Sequence, residues 1–167
     1  MKMLNALAIA LFALASGLPN AGATVETSSF RLAFPPGWQR IPEASPPRLS
    51  GPDRTLVTGS SVSVTGNPND SDGVIARGKA IEASHEAVRK TTAGARMAVQ
   101  MPWRKSGLPD GAILHETIVT SEDRLTYLAA CLLSGKGGVV LLTVEGPAQT
   151  IKNYTQVRSS LLAIAWK

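Results

Sequence analysis

The sequence of 167 residues contains a single cysteine, Cys131, which excludes an internal disulfide. A chain of this length can bury enough apolar surface to fold without one. Cys131 lies in the apolar run 127–133, and no basic residue adjoins it in the sequence to lower the pKa of its thiol. We therefore expect a small buried side chain and not a reactive nucleophile.

Aromatic residues are also scarce, at 5% of the sequence. The net charge is +5, which would suit nucleic acid or an anionic membrane surface. The basic residues are scattered, however, and no basic run is longer than two residues. Without a basic cluster, and with too few aromatic rings for a stacking platform, we expect no nucleic-acid partner.

Histidine is the third scarce residue type, with only His85 and His115. A closed zinc site takes about four ligands, and only Glu116, beside His115, adds one nearby. The stretch 59–63 lacks the second glycine of a nucleophile elbow, and 134–138 lacks the spacing of a phosphate-binding loop. We therefore expect no catalytic residue, no metal and no cofactor.

The long apolar run at 4–15 is shorter than the about 20 residues that a membrane-spanning helix needs. A lysine precedes the run, residues that break it follow at 16–20, and small residues occupy 21–23. This order is typical of a cleaved export signal. We predict a signal peptide over 1–23 and a single mature domain over 24–167. A disulfide-free exported protein suits the bacterial periplasm, with secretion as the alternative.

The pattern of apolar residues in the remaining chain predicts strands, a helix, several strands and a closing helix. Prolines make 35–52 irregular, and Asp72 can cap the first helix. Strands are predicted at 29–34, 38–41, 54–65, 96–104, 112–120, 125–134 and 139–144, and helices at 72–94 and after Pro147, the latter burying Ile151, Tyr154, Val157, Leu161 and Ile164.

Short turns join the last four predicted strands, which favours an antiparallel meander. The loop between the final two strands contains Lys136, which we expect at a hairpin tip. This order of elements predicts an α+β fold, an antiparallel sheet with helices packed on it.

Residues 30–38, FRLAFPPGW, resemble the opening of Mog1/PsbP-like proteins, in which a strand leads into a proline and then a tryptophan. The ending is similar too, with a strand over 139–144, a Gly-Pro break and a helix over 154–164. That superfamily includes exported bacterial proteins of the DcrB type, LpqN-like lipoproteins and photosystem II accessory subunits. The resemblance implies a Mog1/PsbP-like sandwich and an accessory binding role, with no common catalytic residues to transfer.

Trp103, Arg104 and Lys105 are the candidate partner-binding residues. We expect Arg104 and Lys105 to lie at the edge of an exposed turn, and Trp and Arg are favoured anchors at protein interfaces. Trp103 could instead complete the core. Trp38 we expect in the core, because the tryptophan of the resembling family locks the first strand.

These observations together predict a non-catalytic periplasmic accessory protein that binds a protein or a component of the cell envelope. An immunity protein that neutralises a toxin delivered to the periplasm is the alternative. A small periplasmic hydrolase is a third possibility.

The export signal gives the first testable prediction. Protein recovered from the envelope of its own cells should begin near Thr24, because signal peptidase cuts after small residues such as those at 21–23. N-terminal mass spectrometry measures this directly. Mature protein that retains Met1 would contradict both the cleavage and the periplasmic location.

Overall fold

The computed structural model describes residues 22–27, 30–63, 78, 79, 82, 83, 86, 97–135 and 138–167. Most of these residues lie in strands, and one α-helix has both of its ends within the described part of the chain. The strands are β1 (Thr24–Glu26), β2 (Phe30–Ala33), β3 (Gln39–Ile41), β4 (Arg48–Ser50), β5 (Leu56–Ser63), β6 (Met97–Gly107), β7 (Ile113–Ser121), β8 (Thr126–Gly135), β9 (Gly138–Pro147) and β10 (Ala165–Trp166), and the helix is α1 (Lys152–Leu162).

The large sheet has the strand order β3-β4-β5-β9-β8-β7-β6, and every neighbouring pair is antiparallel. Strands β6 to β9 form the predicted meander, which confirms that part of the sequence interpretation. A short hairpin joins β8 to β9, with Gly135 paired to Gly138. At the centre, β8 is buried on both faces, since Ala129, Ala130 and Cys131 are all 0% exposed.

A second sheet, of order β1-β2-β10, and helix α1 pack on one face of the large sheet. Phe30 of β2 meets the ring of Trp166 edge-on, with ring centroids 6.3 Å apart. Trp166 in turn covers Gly135, where an added Cβ would come within 2.6 Å of the indole. Position 135 therefore needs glycine for the two sheets to close.

Several local features differ from the sequence expectations. Strand β4 lies inside the proline-rich segment expected to be irregular, because three residues pair with both β3 and β5. The two short strands β1 and β10 were not predicted. On the closing helix Tyr154, Val157 and Leu161 are buried as expected, whereas Ile151 is 36% exposed and Ile164 follows the end of α1.

The predicted helix over 72–94 and the hairpin-tip Lys136 lie largely outside the described residues. The five positions described within that helix, 78, 79, 82, 83 and 86, are all helical. Among the described residues, no helix is both long enough and apolar enough to cross a membrane.

Candidate functional site

Three side chains from neighbouring strands line up across one face of the large sheet. Arg104 of β6 pairs in register with Glu116 of β7, which pairs with Cys131 of β8. Directly paired residues in antiparallel strands project to the same face. That face is covered by α1, which brings Tyr154 and Arg158, one helical turn apart, over the row.

Glu116 is the centre of this arrangement, and its side chain is 0% exposed. Oε1 accepts from Arg104 Nε at 2.8 Å and lies 2.7 Å from Arg104 Nη2. Oε2 accepts from Arg158 Nε at 2.7 Å and from the Tyr154 hydroxyl at 2.7 Å. A buried carboxylate is costly unless it is paired and hydrogen-bonded, and here both oxygens are satisfied.

The charges of the network are set by these contacts. Burial by itself raises the pKa of the Glu116 carboxyl, but hydrogen bonds from Arg158, Tyr154 and Arg104 outweigh burial and leave the pKa below its ordinary value. Burial also raises the pKa of Tyr154, and it raises that of Cys131 to about 12. At neutral pH the carboxylate is ionised while the phenol and the thiol stay protonated. These states favour a fixed ion-pair network over nucleophilic or acid–base chemistry.

Strand β6, which carries Arg104, lies at one edge of the large sheet and forms the outer side of the network. Its pairing with β7 slips twice, between Val99 and Met101 and between Met101 and Arg104, which marks β-bulges. Trp103, half-buried, lies within the second bulge, and Lys105 is exposed. The Arg104 side chain is 59% exposed although its guanidinium is bound to Glu116.

Arg104 and Lys105 were expected at the edge of an exposed turn, and both are exposed, but they lie within a strand that extends past the predicted end at 104. Strand β6 continues to Gly107, with Lys105 paired to His115 and Ser106 to Leu114. The pairing persists because β7 supplies partners along this whole length. The three predicted partner-binding residues are therefore presented by an edge strand, and a binding role for them stays a prediction.

No family model matches the sequence, and no curated protein matches it. Among solved structures, the chain is similar to the solution structure of cyanobacterial PsbP (CyanoP) from Synechocystis sp. PCC 6803. The TM-score is 0.59, and the match covers 92% of this chain and 96% of that one at 10% identity. The chain has a PsbP-like fold. At this identity the likeness carries the fold alone.

Other candidate residues take structural places in the PsbP-like fold. Trp38 is 1% exposed, contacts Phe34 and donates from Nε1 to Gln156 Oε1 at 3.1 Å, so its predicted core role is confirmed. His115 lies on the strand face opposite Glu116, while His85 lies outside the described residues. Within the described residues, no group of three His, Cys, Asp or Glu side chains could hold a metal ion.

The Glu116 network was not identified from the sequence. One signal was available, because Glu116 shares its strand face with Leu114 and Ile118, where an apolar side chain is expected. Arg158 falls on the buried side of α1, one turn after Tyr154. A carboxylate on one apolar face and a cation on another are a pattern that a search for buried pairs could detect.

The depressed pKa of Glu116 gives a testable pH dependence. A carboxyl whose pKa is lower in the folded state than its value near 4.5 contributes stability above that pH and loses it as the pH falls. Compared with Glu116→Gln, the native protein should be more stable by about 1–2 kcal/mol at pH 7. The difference should shrink as the pH falls below about 4.5, as measured by urea unfolding at a series of pH values.

The exposed Glu122, in the turn between β7 and β8, supplies the matched control. Glu122→Gln should change the free energy of unfolding much less than Glu116→Gln does at pH 7. A difference between native protein and Glu116→Gln that stays constant from pH 7 to pH 3 would contradict the assignment of an ionised buried carboxylate.

Proposed function

We propose that this protein is an exported, non-catalytic accessory protein that binds another protein or a component of the cell envelope in the periplasm. The observation that carries the proposal is the edge strand β6, which presents Arg104, held in place by a buried carboxylate, on one sheet face and the exposed Lys105 on the other, with the half-buried Trp103 beside them in the sequence. The features of 1–23 that are typical of an export signal support the location.

Arg104 has properties that suit a binding anchor. Flexible side chains lose conformational freedom when a partner orders them, and this loss weakens binding. Two contacts with Glu116 Oε1 already restrict Arg104, so less freedom remains to be lost. More than half of its side chain still faces solvent and can meet a partner.

The β6 edge of the sheet favours recognition of a partner through side chains over recognition through the backbone. A flat edge strand can accept another strand, but bulges and proline interrupt such pairing. Strand β6 has two register shifts and contains Pro102. Its exposed side chains include Val99, at 63%, so the edge offers an apolar contact as well as charge.

The buried chemistry of the site supports a binding role over a catalytic one. The thiol of Cys131 is 0% exposed and its pKa is raised by burial to about 12, so it is a poor nucleophile. Both oxygens of the Glu116 carboxylate accept hydrogen bonds, one from Arg104 and the other from Arg158 and Tyr154. Neither group is placed to meet a substrate.

Capture of partners from the native envelope tests the proposal. Substitution of Trp103→Ala together with Lys105→Ala should weaken capture at least tenfold, because a tryptophan anchor alone is worth about 2 kcal/mol at an interface. Arg104→Ala is unsuitable as the first test, because it would also remove two contacts from buried Glu116. Capture on immobilised mature protein, followed by quantitative mass spectrometry, gives the measurement.

The matched control is Arg124→Ala with Leu125→Ala, which removes a charge and an apolar side chain from an exposed turn elsewhere. This pair should leave capture unchanged. Equal capture by the native protein and a folded Trp103→Ala, Lys105→Ala variant would contradict the proposed surface. Loss of folding in that variant would instead assign Trp103 to the core and also contradict it.

A further inference from the structure

A cavity of about 290 Å³ lies between the small sheet and the β4-β5-β9 part of the large sheet. Its walls combine side chains from both sheets with two prolines. Pro46 is exposed and Thr27 and Pro47 are half-buried, which brings the cavity to the surface on this side. Its lining is Val25, Thr27, Phe30, Leu32, Phe34, Pro46, Pro47, Leu49, Gly59, Val140 and Leu142.

The wall is almost wholly apolar. Thr27 alone among these lining residues has a polar side chain, and its hydroxyl already bonds with the backbone of Phe30. The carbonyl of Thr27 accepts from Lys167 Nζ at 2.7 Å. Because the polar groups of the wall are engaged, a ligand part that enters the cavity gains nothing from hydrogen-bonding atoms and must itself be apolar.

The backbone keeps this space from being filled by the chain's own side chains. Gly59 has no side chain, and a Cβ there would come within 3.3 Å of Leu142 Cδ2. Pro46 and Pro47 form a rigid wall without flexible side chains. An apolar cavity in a folded protein stays dry, and one of about 150 Å³ accepts benzene.

We propose that this cavity binds one unbranched aliphatic chain of about ten to twelve carbon atoms. Its volume is about twice that of a cavity that accepts benzene, so it has room for about twice as many carbon atoms. The polar end of the molecule stays at the Thr27 side, beside Lys167 and Glu26, which pair at 2.9 Å and are partly exposed. This inference goes beyond the proposed function, and it stands whether or not the β6 surface binds a partner.

Two tryptophans make the cavity observable. Phe34, in the wall, contacts Trp38 with ring centroids 5.7 Å apart, and Phe30, also in the wall, contacts Trp166 at 6.3 Å. Trp103 lies on β6, at the far edge of the large sheet from β4. Phe30 lies at the Thr27 end of the cavity, where the polar group stays, and Phe34 lies toward the other end of β2. A quencher at the apolar end of a bound chain should therefore reduce the emission of Trp38 most and spare that of Trp103.

The experiment titrates the mature protein with ω-bromoundecanoate below its micelle concentration and follows tryptophan fluorescence. We expect saturable quenching that Trp103→Phe leaves in place and that Trp38→Phe reduces. Val25→Phe and Val140→Phe each place a larger side chain in the cavity and should weaken binding at least tenfold. Leu125→Phe, which also introduces a phenylalanine but at a position 66% exposed between β7 and β8, is the matched control and should bind normally.

A series of unmodified fatty acids tests the cavity without any substitution. Competition by octanoate, decanoate, dodecanoate and tetradecanoate should strengthen with chain length and then level off at about ten to twelve carbons, where the cavity is full. A lysophospholipid of the matching chain length shows whether a chain attached to a lipid headgroup enters as readily as a free fatty acid. Binding of either one supports the site.

Three results would each overturn the inference. The first is quenching that does not saturate or that disappears in Trp103→Phe. The second is unchanged binding in a folded Val25→Phe or Val140→Phe variant. The third is affinity that continues to rise through tetradecanoate, since that would indicate adsorption to an open surface and not a cavity of fixed length.

Discussion

The buried carboxylate of Glu116 is the interaction on which this arrangement depends. It lies on β7, next to the edge strand β6, and it joins β6, through Arg104, to helix α1, through Tyr154 and Arg158. An apolar residue at position 116 could support packing, but it would not fix the position of α1 along the sheet. Two directional hydrogen bonds from the helix, donated by Tyr154 and Arg158 to one carboxylate, do select that position, so the network defines the register between helix and sheet.

The same face of the sheet changes in character from one edge to the other. Arg104, Glu116, Cys131, Leu142 and Gly59 are successive partners across β6, β7, β8, β9 and β5. The row begins with a solvent-facing guanidinium and ends in the wall of an apolar cavity. A single layer of side chains thus carries a charged surface suited to a protein or polar partner and, about four strands away, a space suited to an aliphatic chain.

The sequence predicted well where local pattern and tertiary packing agree. Alternating apolar residues and short turns, two of them containing glycine, define the β6 to β9 meander, and Tyr154, Val157 and Leu161 mark the buried side of α1. Prediction failed for two short strands. Strand β10 pairs with β2, more than a hundred residues away, and β1 pairs with the nearby β2 but is only three residues long, too short to show a pattern. The Glu116 network was not predicted because its members are distant in the sequence. The donors to Glu116 come from two elements, β6 before it and α1 after it. Strand β6 also continues to Gly107, past the strand end predicted at 104, because β7 supplies pairing partners there.

A double-mutant cycle between Glu116 and Arg158 tests the central claim most directly. Unfolding free energies of Glu116→Gln, Arg158→Gln and the combined variant at pH 7 should give a coupling of about 1–3 kcal/mol, because the pair is hydrogen-bonded around a buried carboxylate. The exposed pair Glu26 and Lys167, treated in the same way, supplies the comparison and should couple much more weakly. A Glu116–Arg158 coupling no larger than that of Glu26 and Lys167 would contradict the account.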